Sequence, residues 1–165
     1  MKKIFSFIIL AIGLLIIGFF VFNNYIYNEK QTETIEVKLY YYNPSLDQGV
    51  GGVQCSEKGL QQVTRQIPKT ITPLFDSIKL LLEGNLTEEE INMGITTEFP
   101  LDGFELLSAS INNIGMATLN FSDPKGKTVG GSCRTAVLWS GIRKTAMQFE
   151  TVKDVEFNPE DLFQP

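Results

Sequence analysis

From Ile4 to Phe22 the chain carries no charge, and this run constrains the protein more than any other feature. Nineteen such residues wound at 1.5 Å rise cover roughly 28 Å, close to the hydrocarbon thickness of a bilayer. The apolar region of a cleaved signal peptide is only about 7 to 15 residues long. No small-x-small cleavage site follows, because Phe19-Phe20-Val21-Phe22 is bulky, and no cysteine stands there to take a lipid. A pilin-type leader would need a Gly-Phe-type processing site and an early Glu inside the run, and the sequence has neither. Lys2 and Lys3 precede the run, whereas Lys30 beyond it is offset by Glu29 and Glu33. The positive-inside rule then leaves residues 1–3 in the cytoplasm. The expectation is a single-pass cell-membrane protein: a transmembrane signal anchor over 4–22, a short polar tether over 23–34 and an extracytoplasmic domain over 35–165.

Roughly 130 residues remain for the body, the size of one domain. Nineteen acids against fourteen bases give a formal net charge of −5, which argues against a nucleic-acid partner. The chain has no histidine, which removes Ser-His-Asp and Cys-His catalysis and leaves carboxylates, Lys, Ser or Tyr. Two cysteines cannot fill a four-ligand zinc site. No metal, cofactor or catalytic residue is therefore assigned.

Within the body the hydrophobic period changes from segment to segment. Ile35, Val37, Leu39 and Tyr41 alternate with Glu36, Lys38, Tyr40 and Tyr42 as in a half-buried strand, and Val63, Arg65 and Ile67 continue the pattern before Pro68. Thr72-Pro73 opens a helix whose apolar stripe runs from Leu74 to Leu82, with Gly84 as its stop. Thr87-Glu88-Glu89-Glu90 has capping-box spacing, so its acids read as first-turn residues rather than a metal cluster. Asn112-Asn113-Ile114-Gly115 joins two strands, Phe104–Ile111 and Met116–Phe121, as a hairpin. A long helix follows from about Ser132 to Phe149. Thr135, Leu138, Trp139, Ile142, Ala146 and Phe149 lie on its core stripe, with Arg143 and Lys144 turned away. A last strand spans Val152–Phe157. The predicted fold class is α+β: a small mixed or antiparallel sheet with two main helices on one face, preceded by the transmembrane helix.

Few motifs carry chemistry. Gly49, Gly51 and Gly52 lack the Gly-Lys-Ser/Thr of a phosphate cradle. Ser122 and Lys125 have Ser-x-x-Lys spacing, but Pro124 and Gly126 put them in a loop, where the lysine does not reach the hydroxyl from one helical turn on. Glu98 and Asp102 are the carboxylates a cell-wall hydrolase would use. Tyr40 and Tyr42, opposite the core-facing set of their strand, are the candidates for a ligand surface. Cys55 and Cys133 are either two buried thiols or a disulfide, and an extracytoplasmic location favours the disulfide.

Several segments together resemble the GerMN domain of the sporulation and spore germination family. They are Val37-Lys38-Leu39-Tyr40-Tyr41-Tyr42, Arg65-Gln66-Ile67-Pro68, Leu81-Leu82-Glu83-Gly84, Gly115-Met116-Ala117-Thr118-Leu119-Asn120-Phe121, and Ile142-Arg143-Lys144-Thr145-Ala146-Met147-Gln148-Phe149 leading into Val152-Lys153-Asp154-Val155. Cys55-Ser56, Gly130-Gly131-Ser132-Cys133-Arg134 and the closing Glu160-Asp161-Leu162-Phe163-Gln164-Pro165 look like a single-copy, anchored envelope subgroup. Ala146-Met147 and Asn158-Pro159 depart from the usual pattern. The resemblance implies a non-catalytic module for interaction or assembly at the bacterial envelope. Its expected partners are the cytoplasmic membrane through the leader, and an envelope protein or peptidoglycan component, with self-association open. A glycan-binding or small-ligand-binding module is the alternative, and a carboxylate hydrolase a lesser one. An open sheet edge is the expected contact, because it offers unpaired backbone groups.

Overall fold

A computed structural model describes residues 13–22 and 33–164. Residues 13–22 are helical, and the rest of the predicted 4–22 span, with most of the 23–34 tether, lies outside the described residues. Among the described residues no helix is long and apolar enough to cross a membrane. The chain divides into two compact units, Met1–Thr34 and Ile35–Pro165.

Described residues 33–164 hold seven strands and three α-helices: β1 (Thr34–Tyr42), β2 (Gln48–Gly49), β3 (Gly52–Val53), β4 (Leu60–Pro68), α1 (Pro73–Leu82), α2 (Glu88–Asn92), β5 (Glu105–Ile111), β6 (Met116–Ser122), α3 (Ser132–Ala146) and β7 (Asp154–Asn158). The chain is mixed α and β, as the periodicities require. The single sheet expected from sequence is instead three small ones: β1 with β4, β2 with β3, and β5-β6-β7. β5 runs antiparallel to β6, and β7 parallel to it.

The sheets stay apart because another strand does not occupy the second edge of β1. Lys38 N–H donates to Gln148 Oε1 (2.7 Å), and Gln148 Nε2 donates to the Lys38 carbonyl (2.8 Å). Tyr40 N–H donates to Thr145 Oγ1 (3.1 Å). The Tyr42 carbonyl accepts from Thr96 N–H (2.7 Å) and from its hydroxyl (3.0 Å). Alternate residues of a strand turn their peptide groups to the same edge, so side chains around the end of α3 close this edge of β1. Gly141 permits the approach, since a Cβ there would sit 2.9 Å from the Tyr40 carbonyl oxygen.

One apolar core unites Val37, Leu39 and Tyr41 of β1, Ile78 and Leu81 of α1, Leu119 and Phe121 of β6, and Leu138 and Ile142 of α3. The capping box forms as its spacing predicts, with Thr87 Oγ1 accepting from Glu90 N–H and Glu90 Oε2 accepting from Thr87 N–H. The hairpin turn also matches expectation: Asn112 Oδ1 accepts from the Ile114 and Met116 amides, and Gly115 takes φ 88°.

Four local expectations change. Thr72 occupies the cap position of α1, but its hydroxyl donates to Asp76 Oδ2 instead of accepting from the backbone. The Gly49–Gly52 loop is the turn of a two-residue ladder. α3 ends at Ala146, three residues early, which releases Gln148 to reach Lys38. Trp139 is 37% exposed rather than core. One side of it meets Phe157 at 6.1 Å, and the Arg143 guanidinium lies 5.5 Å from its ring.

Candidate functional site

β1 and the extended segment Thr96–Phe99 share a single bridge, Tyr42 to Thr96, and then diverge. The N-terminal half of α3 closes the gap between them only partly. The result is a cavity of about 420 Å³, mostly apolar, lined by Tyr40, Tyr41 and Tyr42, by Phe99, and by Val137 and Leu138 of α3. That volume lies in the lower part of the ligand-pocket range, about 300–1,000 Å³.

Two of the three tyrosine hydroxyls are committed to other partners. Tyr41 OH donates to the Leu81 carbonyl (3.1 Å) and Tyr42 OH to Asp47 Oδ2 (2.6 Å). Burial pushes the Tyr41 hydroxyl far above the ordinary tyrosine range, and burial followed by the Asp47 hydrogen bond pushes Tyr42 up to about 12. Tyr42 packs so closely on Gly59 that a Cβ there would meet its ring at 2.3 Å. Tyr42 is therefore buried, although the strand alternation set it opposite the core-facing residues. Tyr40 is half-buried, its hydroxyl 3.4 Å from Gln62 Oε1 and its ring 6.0 Å from the Lys144 ammonium.

Arg134 and Glu98 form the polar rim. Arg134 Nε donates to Glu98 Oε2 (2.6 Å), while Nη1 and Nη2 donate to the Val129 and Lys127 carbonyls (2.8 and 2.9 Å). Gly130 leaves room for this fold-back: a Cβ there would stand 3.1 Å from Arg134 Cδ. Asp102 does not join Glu98. Its carboxylate accepts from Lys125 Nζ at 2.6 Å, a contact that holds its pKa below the usual range. The same contact turns Lys125 toward Asp102, and Ser122 closes strand β6 rather than opening a helix. Among the described residues no group of three or more acids or cysteines is arranged to hold a metal ion.

Cys55 and Cys133 are joined in a disulfide that pins the loop ahead of β4 to the first turn of α3, beside the cavity. Cys55 sits at φ 54°, a left-handed conformation rare for a non-glycine residue. A second pin was not legible in the sequence: the buried Asp47 accepts from Tyr42 OH, Ser56 N–H and Ser56 Oγ (2.6, 2.6 and 2.7 Å). These bonds, the one from Tyr42 first, hold the Asp47 carboxyl below its ordinary pKa. Thr96–Phe99 also went unnoticed, although an extended stretch ahead of Pro100 is what proline favours.

Comparison with known proteins bears on the fold. The first GerMN domain of the sporulation protein GerM from Bacillus subtilis is 18% identical with a TM-score of 0.54, over 78% of this chain and 86% of that one. The tandem GerMN domains of the same protein align at 20% identity and TM-score 0.54 over 82% of this chain. This chain spans 43% of that tandem structure. No curated protein matches. A family model, Germane, described as sporulation and spore germination, matches residues 38–161. With most of the chain inside that match, and a GerMN-like fold around the cavity, the protein belongs to the Germane family of sporulation and spore germination.

Proposed function

We propose that this chain is a non-catalytic module, anchored in the cytoplasmic membrane by residues 4–22 with its N-terminus in the cytoplasm, that takes part in assembly at the bacterial envelope. The cavity between β1 and α3 carries the reading: its lining is mostly apolar, and its one acid is already paired with Arg134. Such a surface suits the apolar centre of a protein interface. The Cys55–Cys133 disulfide supports an oxidising compartment outside the cytoplasm. Glu98 pairs with Arg134 and Asp102 with Lys125, and Asp102 does not line the cavity, so the two do not form the facing carboxylate pair of a glycoside hydrolase and hydrolysis is the weaker reading. The fold-level likeness to a sporulation protein does not require that this chain act in sporulation.

A photo-crosslinking residue in place of Val137 in living cells should form an adduct with a membrane-bound or wall-bound protein, identified by mass spectrometry. The same residue in place of Ile114, on the distant hairpin, should not. Release of fragments from peptidoglycan by the purified protein, abolished by Glu98→Gln in a folded variant, would overturn the proposal.

A further inference from the structure

We infer that the Cys55–Cys133 disulfide is a reversible latch: a dithiol oxidoreductase outside the cytoplasm cuts it while the domain stays folded, and the cut frees the start of α3, which lines the cavity. The latch rests on the extracytoplasmic location proposed above and requires no particular occupant of the cavity.

Three observations converge on residues 130–134. Cys133 is exposed and Cys55 half-buried, so a thiolate can approach the bridge from solvent, and exposed or strained bridges are the ones most readily reduced. Among the described residues only two non-glycine residues hold a positive φ, Cys55 at 54° and Phe163 at 58°. Both abut this segment: Cys55 through the bridge, and Phe163 through its neighbour Gln164, whose carbonyl accepts from Gly130 N–H (3.3 Å). Such conformations persist only where the surroundings over-determine them, and they gather at clamps and switches. The first turn of α3 is otherwise lightly held. Gly131 at its cap position makes no side-chain cap bond and has nothing within 4 Å of where a Cβ would stand. Arg134 directs two of its three hydrogen bonds back to the nearby Val129 and Lys127 carbonyls. Gly131, Cys133 and Arg134 all line the cavity, so loosening this turn changes the cavity itself.

Reversibility comes from the second pin. Asp47 accepts from Tyr42 OH, Ser56 N–H and Ser56 Oγ (2.6, 2.6 and 2.7 Å), and none of these bonds involves sulfur. With the bridge open, Ser56 still ties the adjacent Cys55 to β1. The two thiols then stay close enough to re-form the bond when the reductant is removed, because held reactants meet at a high effective concentration.

The exchange runs in two steps. A thiolate of the reductant attacks the exposed Cys133 Sγ, the S–S bond breaks, and Cys55 leaves as a thiolate and takes a proton from water. The reductant's second thiolate then attacks its own sulfur in the mixed disulfide and expels Cys133, which is protonated in turn. Two electrons pass to the cysteine pair, and the reductant is left as a disulfide.

The test uses the full chain in lipid nanodiscs. A thioredoxin-class protein whose second active-site cysteine is replaced by serine should be trapped on the folded chain as a mixed disulfide, mapped to Cys133 by mass spectrometry. A bridge that opened only with the whole fold would be cut by dithiothreitol at least about 1,000-fold more slowly in buffer than in urea, and the slowing should be smaller than that. After reduction, methyl NMR should show Val137 and Leu138 shifted, with Ile78 of α1 and Leu119 of β6 unchanged. The variant carrying both Cys55→Ser and Cys133→Ser should reproduce those shifts without reductant. A slowing of about 1,000-fold or more, loss of the native Ile78 and Leu119 signals on reduction, or unmoved Val137 and Leu138 methyls would each overturn the latch. A mixed disulfide on Cys55 would overturn the assigned point of attack. Failure of the Val137 crosslink in cells would sink the interaction reading and leave the latch intact.

Discussion

Gln148 grips Lys38 at both ends of its backbone, accepting from the N–H at 2.7 Å and donating to the carbonyl at 2.8 Å across 110 residues of sequence. A side-chain amide has both a donor and an acceptor, so it can imitate the neighbouring strand that β1 lacks on this edge. Thr145 and Thr96 extend the imitation to Tyr40 and Tyr42. Together these contacts close an edge that would otherwise invite pairing with another chain.

Gln148→Ala removes both bonds. The Lys38 peptide is exposed enough for water to replace them, so the expected loss is about 1–2 kcal/mol. Urea denaturation measures it, and light scattering should show more self-association than in the parent. If both stay unchanged, Gln148 does not guard the edge.

Glu90 and Asp47 set the acid limit of stability. Arg65 donates to both Glu90 oxygens (2.6 and 2.7 Å), and this hydrogen bonding is the main reason the Glu90 pKa is lowered. Asp47 is lowered chiefly by Tyr42. A carboxyl lowered by folding contributes stability above its unfolded pKa, about 4, and that contribution is lost as pH falls through the folded value. Unfolding free energy should therefore hold from neutral pH to about pH 5 and fall below about pH 4. The slope should be shallower in Glu90→Gln and in Asp47→Asn.

At the alkaline end the sign reverses. Tyr42, raised to about 12, contributes stability in full below its unfolded pKa of about 10 and loses it as pH approaches 12. Absorbance at the tyrosinate band should show Tyr41 and Tyr42 ionising only with or after unfolding. Ionisation of all five tyrosines near pH 10 in a still-folded chain would contradict the burial of this pair.

Replacing both Cys55 and Cys133 by Ser opens a loop with a sequence separation of 78. The expected destabilisation is about 2–5 kcal/mol. Asp47 and its bonds to Tyr42 and Ser56 remain, so the domain should still fold, with a lower Tm. Intact-mass analysis of the native chain after alkylation without reductant should show no added mass.

Gly141→Ala pits a gain in helix propensity of about 1 kcal/mol against a Cβ placed 2.9 Å from the Tyr40 carbonyl oxygen. Backbone cannot yield as a side chain end can, so overpacking wins and the variant should lose about 1–3 kcal/mol of stability. Gly131→Ala has nothing within 4 Å of its new Cβ and should stay within about 1 kcal/mol. Similar losses in the two would remove the close approach of α3 as the cause.

What was legible in the sequence was local. Thr87 and Glu90 specify their capping box within one turn, and Asn112 to Gly115 specify a hairpin by the conformations Asn and Gly tolerate. What remained illegible depends on pairs far apart in the chain. The strand alternation rightly placed Tyr40 and Tyr42 together, but it could not foresee that Gly59 and Asp47 would enclose one of them. The stripe of α3 assigned Trp139 inward, whereas Arg143 and Phe157 hold it at the margin. The cavity depends on Thr96–Phe99 diverging from β1, a tertiary arrangement with no periodic signature.

The clasp of Lys38 by Gln148 also imposes an order in time. β1 leaves the ribosome about 110 residues ahead of the side chain that completes its edge, an interval of roughly 5–20 s at ordinary elongation rates. Thr145, which caps Tyr40, arrives almost as late, with a sequence separation of 105. For that interval the first strand presents unmatched amides and carbonyls to whatever is nearby. A nascent chain stalled short of Gln148 would be a substrate for chaperones or proteases, and the arrival of residues 145–148 is what makes this edge safe to leave alone.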